Sequence, residues 1–205
     1  IPLVIEEEKM QKACEVAGKE PIFRILPYQK KKAGIVTTGS EVYYHRIEDK
    51  FTPVVIEKLK ECGVTEVKQI QCNDDHEMIT EAIQTLIEDG SDLIVCTGGM
   101  SVDPDDRTPL AIKNACTEVV TYGAPVLPGA MFMLAYCEKE GRQIPVMGLP
   151  GCVMYAKTTI FDLLLPRILA DVPITKKDLA RMGAGGLCLG CDICTYPNCG
   201  FGKGV

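Results

Sequence analysis

The chain has 205 residues, 46% of them hydrophobic and 24% charged, with eleven cysteines and a net charge of −6. That is ample for one large domain, or for a domain with an appendage; the acidic balance excludes nucleic acid as a general partner, because phosphate neutralisation needs clustered Lys and Arg, and no apolar run approaches the roughly 20 residues of a membrane span. The chain has neither an initiator Met nor a basic-then-apolar leader, so it reads as cytoplasmic and as a fragment or processed product whose true start lies upstream of Ile1.

In chain order, residues 5–17 predict a Glu-rich helix stopped by Gly18, a residue suited to a left-handed terminator. "AGIVTTGSEV" predicts a short apolar strand ending in Thr-Thr-Gly. Thr52-Pro53 carries a helix-start signature, and Val54, Val55, Leu59 and the Gly63 stop define an amphipathic helix. "VTEVKQIQC" alternates as a strand; Asn73 or Asp74 then caps a helix with Ile79, Ala82, Ile83, Leu86 and Ile87 on one stripe. "DLIVC" is a continuous apolar strand, and Thr108-Pro109 repeats the helix-start signal. "TEVVTY", the "PGAMFMLAY" region and "IPVMG" are further strand candidates, followed by one long apolar helix from about Cys152 to Ala170, bent before Pro166. This rhythm predicts an α/β fold, a three-layer α/β/α sandwich with a mostly parallel sheet. The expected division is an N-terminal helix and connecting segment over 1–32, the α/β domain over 33–182, and an irregular Cys-rich tail over 183–205.

In open parallel sheets ligands bind beyond the carboxyl ends of the strands. Three loops fall there: Thr38-Gly39-Ser40-Glu41, Thr97-Gly98-Gly99-Met100-Ser101, and Gly148-Leu149-Pro150-Gly151. Glycines admit a ligand close to the backbone, and a helix amino end offers free N–H groups, so three such loops together point to an anionic ligand. Three acids, Asp103, Asp105 and Asp106, follow the Gly-Gly pair at once. Asp105 reads as a helix-start acid favoured by the dipole; one or two of the others, with Asp74 or Asp75, could hold Mg²⁺ bridging carboxylate and phosphate oxygens. Cys152, just after Gly151 at a helix start, reads either as a small packed residue or as a thiol activated by the helix amino end.

"TGGMSVDPDDRTP", together with "TTGSEV" and "GLPG", resembles the molybdopterin-binding domain shared by molybdopterin adenylyltransferases, molybdenum insertases and gephyrin, over about residues 33–170. The resemblance implies a three-layer domain that binds the pterin phosphate and dithiolene in the crevice above, with molybdopterin and a nucleotide as partners, Mg²⁺ as the ion of the transferase reaction, and self-association. It places Asp106 on the essential acid of the Gly-Gly loop, Asp74 on the second acid of the adenylyltransferases, and Glu41 on the acid of the insertases' Thr-Gly-Asp-Glu motif. Ser40 stands where that motif has Asp, and "LPGA" (Leu127 to Ala130) stands where insertases have Lys-Pro-Gly-Lys. "PDDRT" is also similar to the Asp-Asp-x-Thr loop of the competence-damage-inducible family, whose related domain hydrolyses ADP-ribose with a divalent metal. A carrier or sensor that binds the cofactor without turnover is the third reading.

Seven cysteines are scattered singly and read as small reduced core residues. The other four, Cys188, Cys191, Cys194 and Cys199, have the spacing C-x₂-C-x₂-C-x₄-C. Thiolates this close can converge on a metal, and Gly-rich flanks allow the turns. The first three match the ferredoxin run, with one extra residue before the fourth, so a 4Fe-4S cluster and Zn are the two candidates.

Overall fold

Ile35, Leu93, Val95 and Met147 are buried on one face of a sheet and Val36, Ile94, Cys96 and Val146 on the other, the two-sided burial that continuous apolar strands require. The computed structural model describes residues 3–21 and 23–203. Ile1, Pro2, Ile22, Gly204 and Val205, which fall within the expected N-terminal segment and tail, lie outside the described residues.

The strands are β1 Lys32–Thr38, β2 Glu66–Cys72, β3 Leu93–Thr97, β4 Glu118–Tyr122, β5 Met133–Lys139 and β6 Arg142–Leu149, in the order β2-β1-β3-β6-β5-β4. Pairs β1–β2, β1–β3 and β3–β6 are parallel; β5 runs antiparallel to β4 and β6. Glu140 and Gly141, both at positive φ, make the two-residue turn that joins β5 to β6.

Helices α3 (Phe51–Glu61) and α6 (Ile160–Leu169) cover the Ile35 face; α4 (His76–Glu88) and α5 (Thr108–Ala115) cover the other. The protein is therefore an α/β sandwich with a mostly parallel sheet, as its apolar periodicities predict. Helix α1 (Glu7–Ala17) ends at Gly18, whose amide returns to the Cys14 and Glu15 carbonyls; none of its residues is buried. Among the described residues no helix is long and apolar enough to cross a membrane.

Three local expectations need correction. The cap of α4 is Asp75, not Asn73 or Asp74: its carboxylate accepts the Glu77 and Met78 amides, and the Met78 amide above all holds its pKa below the usual carboxylate range. The helix expected over 152–170 is two pieces, a 3₁₀ turn at Gly151–Met154 and α6. Thr159 and Asp162 form a capping box that starts α6 afresh, and Pro166 lies inside it. Among the single cysteines Cys72, Cys96 and Cys137 are buried, whereas Cys14 is exposed on α1.

The short helix α2 (Ser40–Tyr43) follows β1, and past α6 the short α7 (Lys176–Arg181) leads into a 3₁₀ turn at Met182–Gly185. The tail has no further helix or strand among the described residues beyond one isolated bridge, Leu127 to Leu187. Phe201 nevertheless belongs to the α3/α6 core.

Candidate functional site

Thr37 lies opposite Thr97, and Thr97 opposite Leu149, so β1, β3 and β6 end level and their following loops open on one edge. The strand order reverses between β1 and β3, which makes this edge the topological switch point. The loops are bonded to one another. Thr108 Oγ1 donates to the Gly98 carbonyl at 2.9 Å, which leaves it to accept from Thr38 Oγ1 at 3.2 Å. Gly98 has φ +86° and Gly99 φ +53°; a Cβ on Gly98 would run into the Thr38 carbonyl, and one on Gly99 would stand 2.8 Å from Thr108 Oγ1. The two glycines are thus demanded by loop packing itself, and the space a side chain would take is filled by Thr38 and Thr108. Thr97 Oγ1, buried at the end of β3, has no hydrogen-bond partner among the described residues.

The acids organise the same edge. Asp106 Oδ2 accepts the Ser101 amide at 2.6 Å, Asp103 Oδ1 accepts the Asp105 amide at 3.0 Å, and the Asp103 carbonyl accepts the Asp106 amide at 3.1 Å. Asp103, left without a role by the sequence, shapes the loop that presents Asp106. Asp74 Oδ2 accepts both the amide and the hydroxyl of Ser40, at 2.8 and 2.9 Å, and so ties the loop after β2 to the loop after β1. Glu41 lies exposed on α2. Tyr122, on the distant β4, donates to the Ser101 carbonyl at 3.1 Å; burial and the Asp106 charge push its phenol pKa up. No local pattern in the sequence marks Tyr122 for this position.

Beside these loops lies a cavity of about 520 Å³ walled by Met100–Val102, Leu127–Met131, Pro150–Cys152 and Cys188, within the range of small-molecule sites. Ser101, Pro150 and Gly151 are in its wall; Thr38, Gly39, Ser40, Glu41, Thr97, Gly98, Gly99, Asp74 and Asp106 stand around it, on strand ends, α2 and loops, and not in its wall. No charged side chain lines it; Leu127 and Ala130 are among its apolar residues. Another cavity, of about 430 Å³, lies at the amino ends of β1, β3 and β6, but its charges are already matched: Lys30 with Asp171 at 3.1 Å and Arg142 with Asp92 at 3.5 Å.

The family model described as a probable molybdopterin binding domain matches residues 34–170, two thirds of the chain. The chain belongs to that family. A CinA-like protein of Mycobacterium sp. (strain MCS) is 35% identical over 85 residues, and one of Mycobacterium avium (strain 104) 34% identical over 95, covering 42% and 46% of this chain. The chain spans only about a fifth of the length of these curated relatives (20% and 22%). Among solved structures, the tungsten cofactor synthesizing protein MoaB of Pyrococcus furiosus superposes with a TM-score of 0.56 at 20% identity, covering 70% of this chain and 98% of that one. CinA of Thermoplasma acidophilum, a protein of unknown function, gives 0.54 at 16% identity, covering 68% and 98%. At such identities the likeness is one of fold.

Met100, Val102 and Met131 make part of the cavity's wall apolar, and glycines stand around its rim. Among the described residues no group of three or more His, Cys, Asp or Glu is arranged to hold a metal ion, but Mg²⁺ bound through substrate phosphates asks for only one or two carboxylates, and Asp74 and Asp106 each accept through a single oxygen.

Cys152 is half-buried, and burial pushes its thiol pKa up, against the downward pull of its own and the Val153 amide. A four-residue turn offers little dipole to offset that desolvation. Less thiolate is therefore present at neutral pH than in an ordinary thiol. Iodoacetamide should alkylate Cys152 several-fold more slowly than exposed Cys14 at pH 7, with a rate still climbing above the usual thiol range; tandem mass spectrometry of timed digests reads both, and equal labelling at neutral pH would contradict it.

Proposed function

We propose that the chain binds molybdopterin at the carboxyl edge of the sheet and acts in molybdenum cofactor synthesis or handling, with Mg²⁺-dependent adenylyl transfer from ATP as its chemistry. The observation that carries this reading is the uncharged cavity of about 520 Å³ set against the Gly-Gly loop and its acids. The pterin packs against Met100, Val102 and Met131, which also exclude water. The amides of Gly98, Gly99 and Gly151 bind anionic oxygens in place of the missing cations. Mg²⁺, when bound, screens the repulsion between phosphates and carboxylates. Asp106, fixed by the Ser101 amide, and Asp74, fixed by Ser40, would hold it. The protein self-associates.

A second reading rests on the CinA-like relatives and the "PDDRT" loop: metal-dependent cleavage of ADP-ribose at the same edge. Adenylyl transfer from ATP to molybdopterin, measured with Mg²⁺, separates the two. The wild type should turn over; Asp106→Asn, which keeps an acceptor for the Ser101 amide but removes the charge, and Asp106→Ala should each lose about a hundredfold or more in rate while pterin affinity changes only a few-fold. Tight pterin binding without turnover in the wild type would leave a carrier, and ADP-ribose cleavage would replace the transferase reading with the hydrolase.

A further inference from the structure

The four tail cysteines are the motif the crevice does not absorb, and the fold brings them to one place. Cys188, Cys191, Cys194 and Cys199 all line a single cavity of about 310 Å³. Its remaining wall is largely apolar, with Pro128, Ala156, Leu189 and Phe201, and Lys157 is its single charged residue.

The loop that carries them is closed at its base and unsupported above it. The Gly202 amide bonds the Gly185 carbonyl at 2.9 Å, the Leu127 amide bonds the Gly186 carbonyl at 2.7 Å, and the Cys188 amide bonds the Leu127 carbonyl at 2.8 Å. Gly185 is demanded by that closure, since a Cβ there would come within 2.5 Å of the Gly200 carbonyl. Between Cys188 and Cys199 the one backbone hydrogen bond among the described residues is Asn198 to Thr195, and Leu189 and Ile193 are each 80% exposed. A segment with no ladder and no core of its own needs another source of order.

We propose that the four thiolates hold a 4Fe-4S cluster in this cavity. One zinc would draw its sulfurs to within about 2.3 Å of a single ion, and no three of these cysteines are so arranged. A cubane takes one thiolate per iron, so it asks for four cysteines spaced around one cavity, and all four tail cysteines line the same one. Each cysteine releases its proton to solvent as its sulfur bonds one iron. Lys157 offsets part of the negative charge of the four thiolates, and the apolar wall keeps water from the core of the cluster. The proposal is independent of what fills the molybdopterin crevice.

The test is metal content of the full chain after anaerobic purification, or after reconstitution with ferrous and ferric iron and sulfide. The expected product is brown, with broad visible absorption, and contains iron and acid-labile sulfide in the ratio of the cluster's formula. Cys191→Ser and Cys194→Ser, at exposed positions whose loss leaves the core intact, should each cut bound iron at least five-fold with an unchanged far-ultraviolet circular dichroism spectrum; Cys14→Ser should load fully. A colourless protein with stoichiometric zinc overturns the proposal. So does a wild type that takes up no iron and sulfide, or variants that load like the wild type. Pterin binding, measured separately on the same samples, tests the proposed function, so the two readings can fail independently.

Discussion

Phe201→Ala should destabilise the protein by about 3–5 kcal/mol, the range for deleting a buried phenylalanine side chain, and lower the melting temperature by roughly 10 °C. The expectation runs against the sequence around this residue, where glycines and cysteines leave no apolar period. Phe201 is only 4% exposed and is counted with Leu164, Leu165 and Ile168 in the core under α6. Its neighbour fixes the fit: a Cβ on Gly202 would come 2.5 Å from Leu163 Cδ2. The substitution therefore empties a packed site beside Leu163. Thermal melts of the iron-free protein isolate the packing contribution from any metal; a loss below about 1 kcal/mol, the scale of a surface change, would mean that the tail is dispensable to the core.

Gly98→Ala should cost on the order of 3 kcal/mol, combining the left-handed backbone penalty with overpacking against fixed backbone. The obstacle is the Thr38 carbonyl, which belongs to the end of β1 and cannot rotate away. Gly141→Ala is the matched control: its φ is +76°, but nothing lies within 4 Å of the added Cβ, so it should lose only about 1 kcal/mol. Urea titration of the two variants gives the difference. Gly98→Ala should also weaken molybdopterin binding while Gly141→Ala leaves it unchanged, because relieving the collision moves the loop that carries Ser101 into the crevice wall. Equal destabilisation by both variants would show that the two loops are not locked together.

The sheet was legible because its signals are local. "DLIVC" and "IPVMG" are too apolar for anything but a strand buried on both faces, and glycine or Thr-Pro punctuation marks where each strand or helix yields to the next. The break before α6 was hidden by its own composition: Cys152 to Leu169 is apolar enough for one helix, and the Thr159–Asp162 capping box that divides it is short. The strand ends, and with them the edge where a ligand site is expected, could be placed from local signals alone. The contacts along that edge could not, since they are distant in sequence. Tyr122 reaches Ser101 from another strand, Cys188 enters the crevice wall from the tail, and Gly98 and Gly99 pack against Thr38 and Thr108. Asp74 and Asp106 were singled out by motif, and the structure adds what a motif lacks, the amide or hydroxyl that orients each carboxylate.

Pro128 and Cys188 each line both the crevice and the cysteine cavity. The two chambers therefore share a partition, and an occupant of one that shifts this partition alters the affinity of the other. Thermodynamic reciprocity then fixes the relation: by whatever factor an occupant of the cysteine cavity tightens or loosens the crevice for its ligand, that ligand changes retention of the occupant by the same factor.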